Sequence, residues 1–144
     1  MTFSREMLEA APVELDVGVA EVAEAIDASA ACAQACTSCA NSCLGEDDVA
    51  ELSRCIALCT TCSDVCEATV RVLSQPVQSD RFVWHQLLEA CVRTCTSSAE
   101  ECERHAAHHR HCAICLKACR ACIKACESLL EAEAFQELKK LAGA

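Results

Sequence analysis

Residues 32–43 read CAQACTSCANSC, which separates Cys32, Cys36, Cys39 and Cys43 by four, three and four residues. Steps of three and four return to one face of an α-helix, where a globular chain ordinarily places leucine. Here that face carries sulfur. The spacing recurs as CIALCTTCSDVC at Cys55, Cys59, Cys62 and Cys66, and as CLKACRACIKAC at Cys115, Cys119, Cys122 and Cys126, with Cys112 in front. A fourth segment, CVRTCTSSAEEC, keeps Cys91, Cys95 and Cys102 in the same frame, with Ser98 where its remaining cysteine would fall. One CxxC pair would have little specificity, but four C-x3-C-x2-C-x3-C frames on separate segments form an internal repeat.

Gly (3), Pro (2) and aromatic residues (3%) are scarce, which leaves little material for a sheet. The pattern predicts helices over about 13–44, 47–74, 80–105 and 110–132, with a short terminal helical piece at 133–141. Gly45 is expected to close the first helix and Asp47 or Asp48 to cap the second. SQPVQSD (74–80) reads as a loop, with Ser79 or Asp80 capping the third. RHAAHHRH (104–111) has no Gly or Pro, yet the seam Cys102, His105, His109, Cys112, Cys115 takes two successive steps of three there. That slip would turn a continuous helix away from its partners, so a turn belongs near 106–110.

A chain of 144 residues makes one domain, residues 1–144, able to bury about two-thirds of its unfolded surface without disulfide staples. Short loops between long helices favour antiparallel neighbours. The expected fold is therefore all-α, an up-down-up-down four-helix bundle with a cysteine-lined core. Extending the seams one way gathers Asp48, His105, His108, His109 and His111 at a polar pole. Extending them the other way gathers Val22, Leu15, Val70, Leu73, Leu88, Trp84, Leu129 and Leu130 at a closed, apolar pole.

The formal charge of −10 argues against a nucleic-acid or anionic-lipid partner. The first eighteen residues carry Arg5, Glu6, Glu9, Glu14 and Asp16 and show no secretory apolar run, and no transmembrane span is visible. A cytoplasmic setting is expected, where thiols stay reduced and serve as metal ligands or redox groups rather than cystines.

Thiols at i and i+4 stack on one helix face and can grip one ion between them. Soft thiolates select Cu(I), zinc or iron–sulfur clusters. Cu(I) accepts low coordination, so one pair suffices, whereas zinc asks for four tetrahedral ligands from two seams. The spacings are not those of ferredoxins. Each seam runs about 16 Å along its helix and offers successive sites, a capacity suited to storing many ions. Plain packing by cysteine as a small hydrophobe accounts for one such residue better than for sixteen on four seams. His105, His108, His109 and His111 form an entrance that captures metal and passes it to Cys102 and Cys112. His85, beside Trp84, is expected to be structural or solvated, and Lys117, Arg120 and Lys124 to form a basic stripe facing solvent or a subunit. No hydrolase triad, phosphate loop or Rossmann fingerprint is present, and the chain does not read as an enzyme.

With these seams and the histidine-rich pole, the sequence resembles the bacterial copper storage proteins, in their cytosolic branch, over about residues 13–132. The resemblance implies a four-helix bundle whose core holds multiple Cu(I) ions per chain, mostly on thiolate pairs within a helix, and a homotetramer loaded from the histidine end. It makes all sixteen cysteines, Cys32 to Cys126, the ligands, with Ser98 interrupting the third seam. The expected function is copper buffering or detoxification. Zinc or mixed-metal sequestration is the alternative, and thiol redox chemistry a more distant one.

Overall fold

The computed structural model describes residues 2–143. Among these it is all-helical: α1 (Ser4–Ala10), α2 (Val19–Leu44), α3 (Ser53–Leu73), α4 (Arg81–His105) and α5 (Arg110–Gly143), with a 3-10 turn at Val49–Leu52 leading into α3. Among the described residues, no helix is long and apolar enough to cross a membrane. Helix α2 packs on α3 and α5, α4 packs on the same two, and α1 lies against α2.

The N-terminal region departs from the pattern-based expectation. The first long helix begins at Val19 rather than near residue 13, and a separate short helix, α1, precedes it. Pro12 forces Ala11 into extended backbone (φ −64°, ψ 137°), which ends α1. The chain then crosses the apolar pole, burying Val17 and half-burying Leu15. Asp16 on this crossing pairs with Arg81 at the start of α4 and with Lys140 near the end of α5 (3.2 Å). Leu8 anchors α1 in the core, and Ser4 Oγ donates to Asp27 Oδ1 (2.8 Å) on α2.

The terminal piece expected at 133–141 is a continuous part of α5. Nothing between Glu127 and Lys140 breaks a helix, and Ala, Glu, Leu and Lys all favour one. Gly45 ends α2 in right-handed backbone (φ −91°), so no left-handed cap forms there. Asp48 makes no cap bond because an imidazole takes its carboxylate. Asp80 does cap α4, accepting from Phe82 N (2.9 Å) and Val83 N (3.3 Å). The turn between α4 and α5 closes without Gly or Pro, through His109 N to His105 O (2.9 Å) and Cys112 N to His109 O (3.1 Å).

Val22, Leu73, Trp84, Leu88 and Leu129 fill the apolar pole and are fully buried, with Leu15, Val70 and Leu130 packed around them. The Arg81 guanidinium lies 4.2 Å from the Trp84 ring centroid. Because this plug contains no sulfur, it holds the helices together whatever the channel contains. Replacing Trp84 with Ala is expected to cost about 3–5 kcal/mol in urea unfolding of the metal-free protein. A loss below about 1 kcal/mol would mean that the sulfur channel, not the plug, sets stability.

Candidate metal centre

All sixteen cysteines are free and buried, and their sulfurs face one another down the axis between the helices. The helical period puts Cys32 and Cys36 (3.8 Å), Cys55 and Cys59 (3.9 Å), Cys62 and Cys66 (3.9 Å), and Cys122 and Cys126 (4.0 Å) in contact along single helices. Contacts between helices match them. Across α2 and α5, Cys32 meets Cys119 (3.8 Å), Cys36 meets Cys115 (3.6 Å) and Cys39 meets Cys112 (3.9 Å). Across α3 and α4, Cys55 meets Cys102 (3.9 Å), Cys62 meets Cys95 (3.5 Å) and Cys66 meets Cys91 (3.8 Å).

These contacts close into groups whose ligand atoms all lie within 4.8 Å of one another. Two groups draw one sulfur from each long helix: Cys39, Cys59, Cys102 and Cys115 toward the histidine pole, and Cys32, Cys66, Cys95 and Cys122 toward the apolar pole. Cys32, Cys36, Cys62 and Cys119 form a further group that shares Cys32, and Cys91, Cys122 and Cys126 form one that shares Cys122. A thiolate belonging to two groups can bridge two ions. The string ends at Ser29, whose hydroxyl meets Cys122 (3.5 Å) and Cys126 (3.8 Å).

A packed set of thiols cannot ionise everywhere at once. Cys115 is pushed up, with its bonds to Cys102 and Cys119 the foremost causes. Cys102 and Cys119 are in turn pulled down, with the hydrogen bond to Cys115 the foremost cause for each. Burial pushes Cys112 up to about 12 and also raises Cys43. Without metal, the channel therefore keeps protons on much of its sulfur, and a soft cation must displace them.

At the polar pole the four histidines diverge. The Nδ1 atom of His111 lies 3.4 Å from Cys39 Sγ and 3.6 Å from Cys112 Sγ, so His111 joins the group Cys39, Cys43, Cys112. Its Nε2 faces Glu46 Oε1 (3.1 Å). His109 stacks on His111 with ring centroids 5.5 Å apart, and meets Asp48 (3.0 Å) and Glu46 (3.4 Å). His105 pairs with buried Glu101 (3.1 Å), which also holds Arg54 and Arg104, and His108 is exposed. His85 lies away at the other pole, between Glu89 and Glu133. The pattern along the chain did not single out Glu46, Glu101 or the role of Ser29. Glu46 lies in an aperiodic turn, and its two partners are more than sixty residues away in sequence.

These observations meet independent comparisons. A family model described as copper storage protein (Csp) matches residues 19–131, and the chain belongs to that family. A copper storage protein, Ccsp, from Streptomyces lividans, solved loaded with 10 copper equivalents, is 42% identical with a TM-score of 0.88 over 90% of this chain and 98% of its own. A structure of a cytosolic copper storage protein from the same organism, described as loading with five coppers, is 45% identical, with a TM-score of 0.77 over 78% of this chain and 93% of its own. A cysteine-rich protein of Bacillus subtilis, YhjQ, is 34% identical over 93 residues, spanning 65% of this chain and 81% of that one.

Asp48 holds the His109 imidazolium, raising His109 and lowering its own carboxyl through the shared hydrogen bond. The ion pair is intact between the two values. It is lost as pH rises through the raised histidine pKa, or falls through the lowered aspartate one. In Asp48→Asn, His109 should return toward about 6.5 in an NMR titration of the metal-free protein; an unchanged midpoint would assign the shift to Glu46 instead.

Proposed function

We propose that this chain stores Cu(I): it binds many cuprous ions on the thiolates of Cys32 to Cys126, buffers or detoxifies copper, and performs no turnover. The observation that carries the reading is the sharing of sulfurs between neighbouring groups. Isolated zinc sites call for four ligands each at tetrahedral corners, whereas bridging thiolates and two-coordinate pairs suit Cu(I). Redox turnover calls for a thiolate that solvent oxidants reach, and here the sulfurs are buried. Ten copper equivalents in the Streptomyces lividans relative set the scale of the expected capacity.

The architecture belongs to the same reading. Residues 1–144 act as one domain built on an antiparallel up-down-up-down four-helix bundle of α2, α3, α4 and α5. The descending pairs Cys32–Cys119, Cys36–Cys115 and Cys39–Cys112, with Cys55–Cys102 and Cys66–Cys91, support this direction of the helices. The cytosolic relative supports a cytoplasmic setting, and the family resemblance supports a homotetramer. Metal is admitted at the pole of His105, His108, His109 and His111. His111 makes the transfer to sulfur, a role supported by its Nδ1 facing Cys39 and Cys112, while His105 and His109 gather the ion and their carboxylates attract it.

Anaerobic titration with Cu(I) against a chromogenic chelator tests both the capacity and this route. The protein should retain on the order of ten ions per chain, as its copper-loaded relative does. A plateau near four zinc ions with weak copper retention would replace copper with zinc as the cargo. His111→Ala should slow loading about tenfold while leaving final capacity within one ion, a barrier change of about 1.4 kcal/mol. The double variant His105→Ala/His109→Ala should slow it less. Equal loading rates in all three proteins would remove the histidines from the route.

A further inference from the structure

We propose that Ser98 forms a neck in the sulfur channel and divides the stored copper into an outer, rapidly exchanging pool and an inner, slowly exchanging one. The inference rests on the copper-storage reading above. Ser98 occupies the seam position on α4 between Cys95 and Cys102, leaving about 10 Å of that helix without a thiol. Its side chain is fully buried and points among sulfurs of the other three long helices. The Cys119 thiol donates to Ser98 Oγ (3.6 Å), and Cys59 (3.4 Å) and Cys36 (3.9 Å) also touch it.

The two four-helix sulfur groups lie on opposite sides of this hydroxyl. Above it, toward the histidines, is Cys39, Cys59, Cys102 and Cys115; below it is Cys32, Cys66, Cys95 and Cys122. At the level between them, α2, α3 and α5 offer Cys36, Cys59 and Cys119, while α4 offers oxygen. A neutral hydroxyl is a hard and weak donor for Cu(I), which prefers thiolate. Sulfur contacts spanning the two levels bypass α4: Cys36 meets Cys115 at 3.6 Å, and Cys119 also bonds to Cys115.

An ion leaving the inner level crosses by forming a Cu–S bond to Cys115 as its bond to Cys36 or Cys119 breaks. Copper stays cuprous throughout. The thiolate left behind takes the next ion or a proton from solvent. Above the neck the crossing is generous, since Cys59 contacts Cys55, Cys102 and Cys115 at 3.8–3.9 Å. Below it, Cys66 and Cys95 (3.7 Å) and Cys32 and Cys95 (3.8 Å) are equally close. The restriction is therefore local to Ser98.

Stripping kinetics test the neck. The full-length protein and its Ser98→Cys and Ser98→Ala variants are loaded with Cu(I) without oxygen, then mixed with excess chromogenic Cu(I) chelator. The unaltered protein should release copper in two phases of similar amplitude, separated about tenfold in rate, which one poorer ligand worth roughly 1.4 kcal/mol at the crossing would produce. Ser98→Cys should accelerate the slow phase toward the fast one, while Ser98→Ala, which removes the oxygen without supplying sulfur, should keep two phases. Cuprous-thiolate luminescence during stepwise loading gives a second readout, with two inflections expected to merge in Ser98→Cys. Should Ser98→Cys misfold, Cys115→Ser serves instead and should slow the inner phase about tenfold further.

Copper release in one phase from the fully loaded protein would overturn the neck and leave storage intact. A slow phase untouched by Ser98→Cys, or by Cys115→Ser where that variant is used, would do the same. A protein that takes up no copper would overturn storage, and the neck with it.

Discussion

The chemistry of this fold depends on sulfur packed against sulfur in a closed interior. Neighbouring thiols approach to 3.5–4.0 Å, which is contact without bonding. Burial is tolerable because cysteine behaves as a small hydrophobe with a weak donor, so an uncharged channel carries little of the penalty that buried hydroxyls or carboxylates would bring. Charge enters only when protons leave, and a cation must then take their place. The metal-free interior is thus apolar enough to fold and chemically ready to bind. This differs from a zinc finger, whose fold waits for its ion, since here a separate plug of Trp84, Leu88, Leu129, Leu73 and Val22 sits beyond the last sulfurs.

The polar pole answers a different problem. On the proposed route, an ion arriving from water loses its companions in stages, and the pole offers it donors of graded softness. Carboxylates of Glu46 and Asp48 stand outermost in the sequence of contacts, the imidazoles of His109 and His111 follow, and thiols lie beneath. Glu46 touches both His109 and His111, so it ties the stacked rings into one unit and directs Nδ1 of His111 inward. The net charge of −10 adds a long-range attraction for cations.

What could be read from the sequence follows from which forces are periodic. The seams were legible because the helical repeat places every third or fourth residue on one face, and cysteine marks that face without ambiguity. The apolar pole followed from the same extension, through Val22, Leu88 and Leu129. The segment before Val19 was not legible: its path is set by Pro12, by Val17 packing across the pole, and by the Asp16 contacts with Arg81 and Lys140. None of these has a period. The different settings of the histidines were hidden for a similar reason, since Glu46 and Asp48 reach His109 and His111 from far away in the chain. A cap was the local expectation for Asp48, and a tertiary partner displaced it.

The hydroxyls complete the logic of the channel. Ser29 stands one seam step before Cys32 and closes the sulfur string against hydrocarbon, touching Cys122 and Cys126. Beyond it lie Ile26 and Val22, which offer copper nothing. With a greasy plug at that end and histidines at the other, the proposed ligand-to-ligand exchange has one direction of escape. An ion held deepest must pass every site above it on the way out. On that proposal depth in the channel converts into residence time, so a store built on one chemical group holds its contents at different rates.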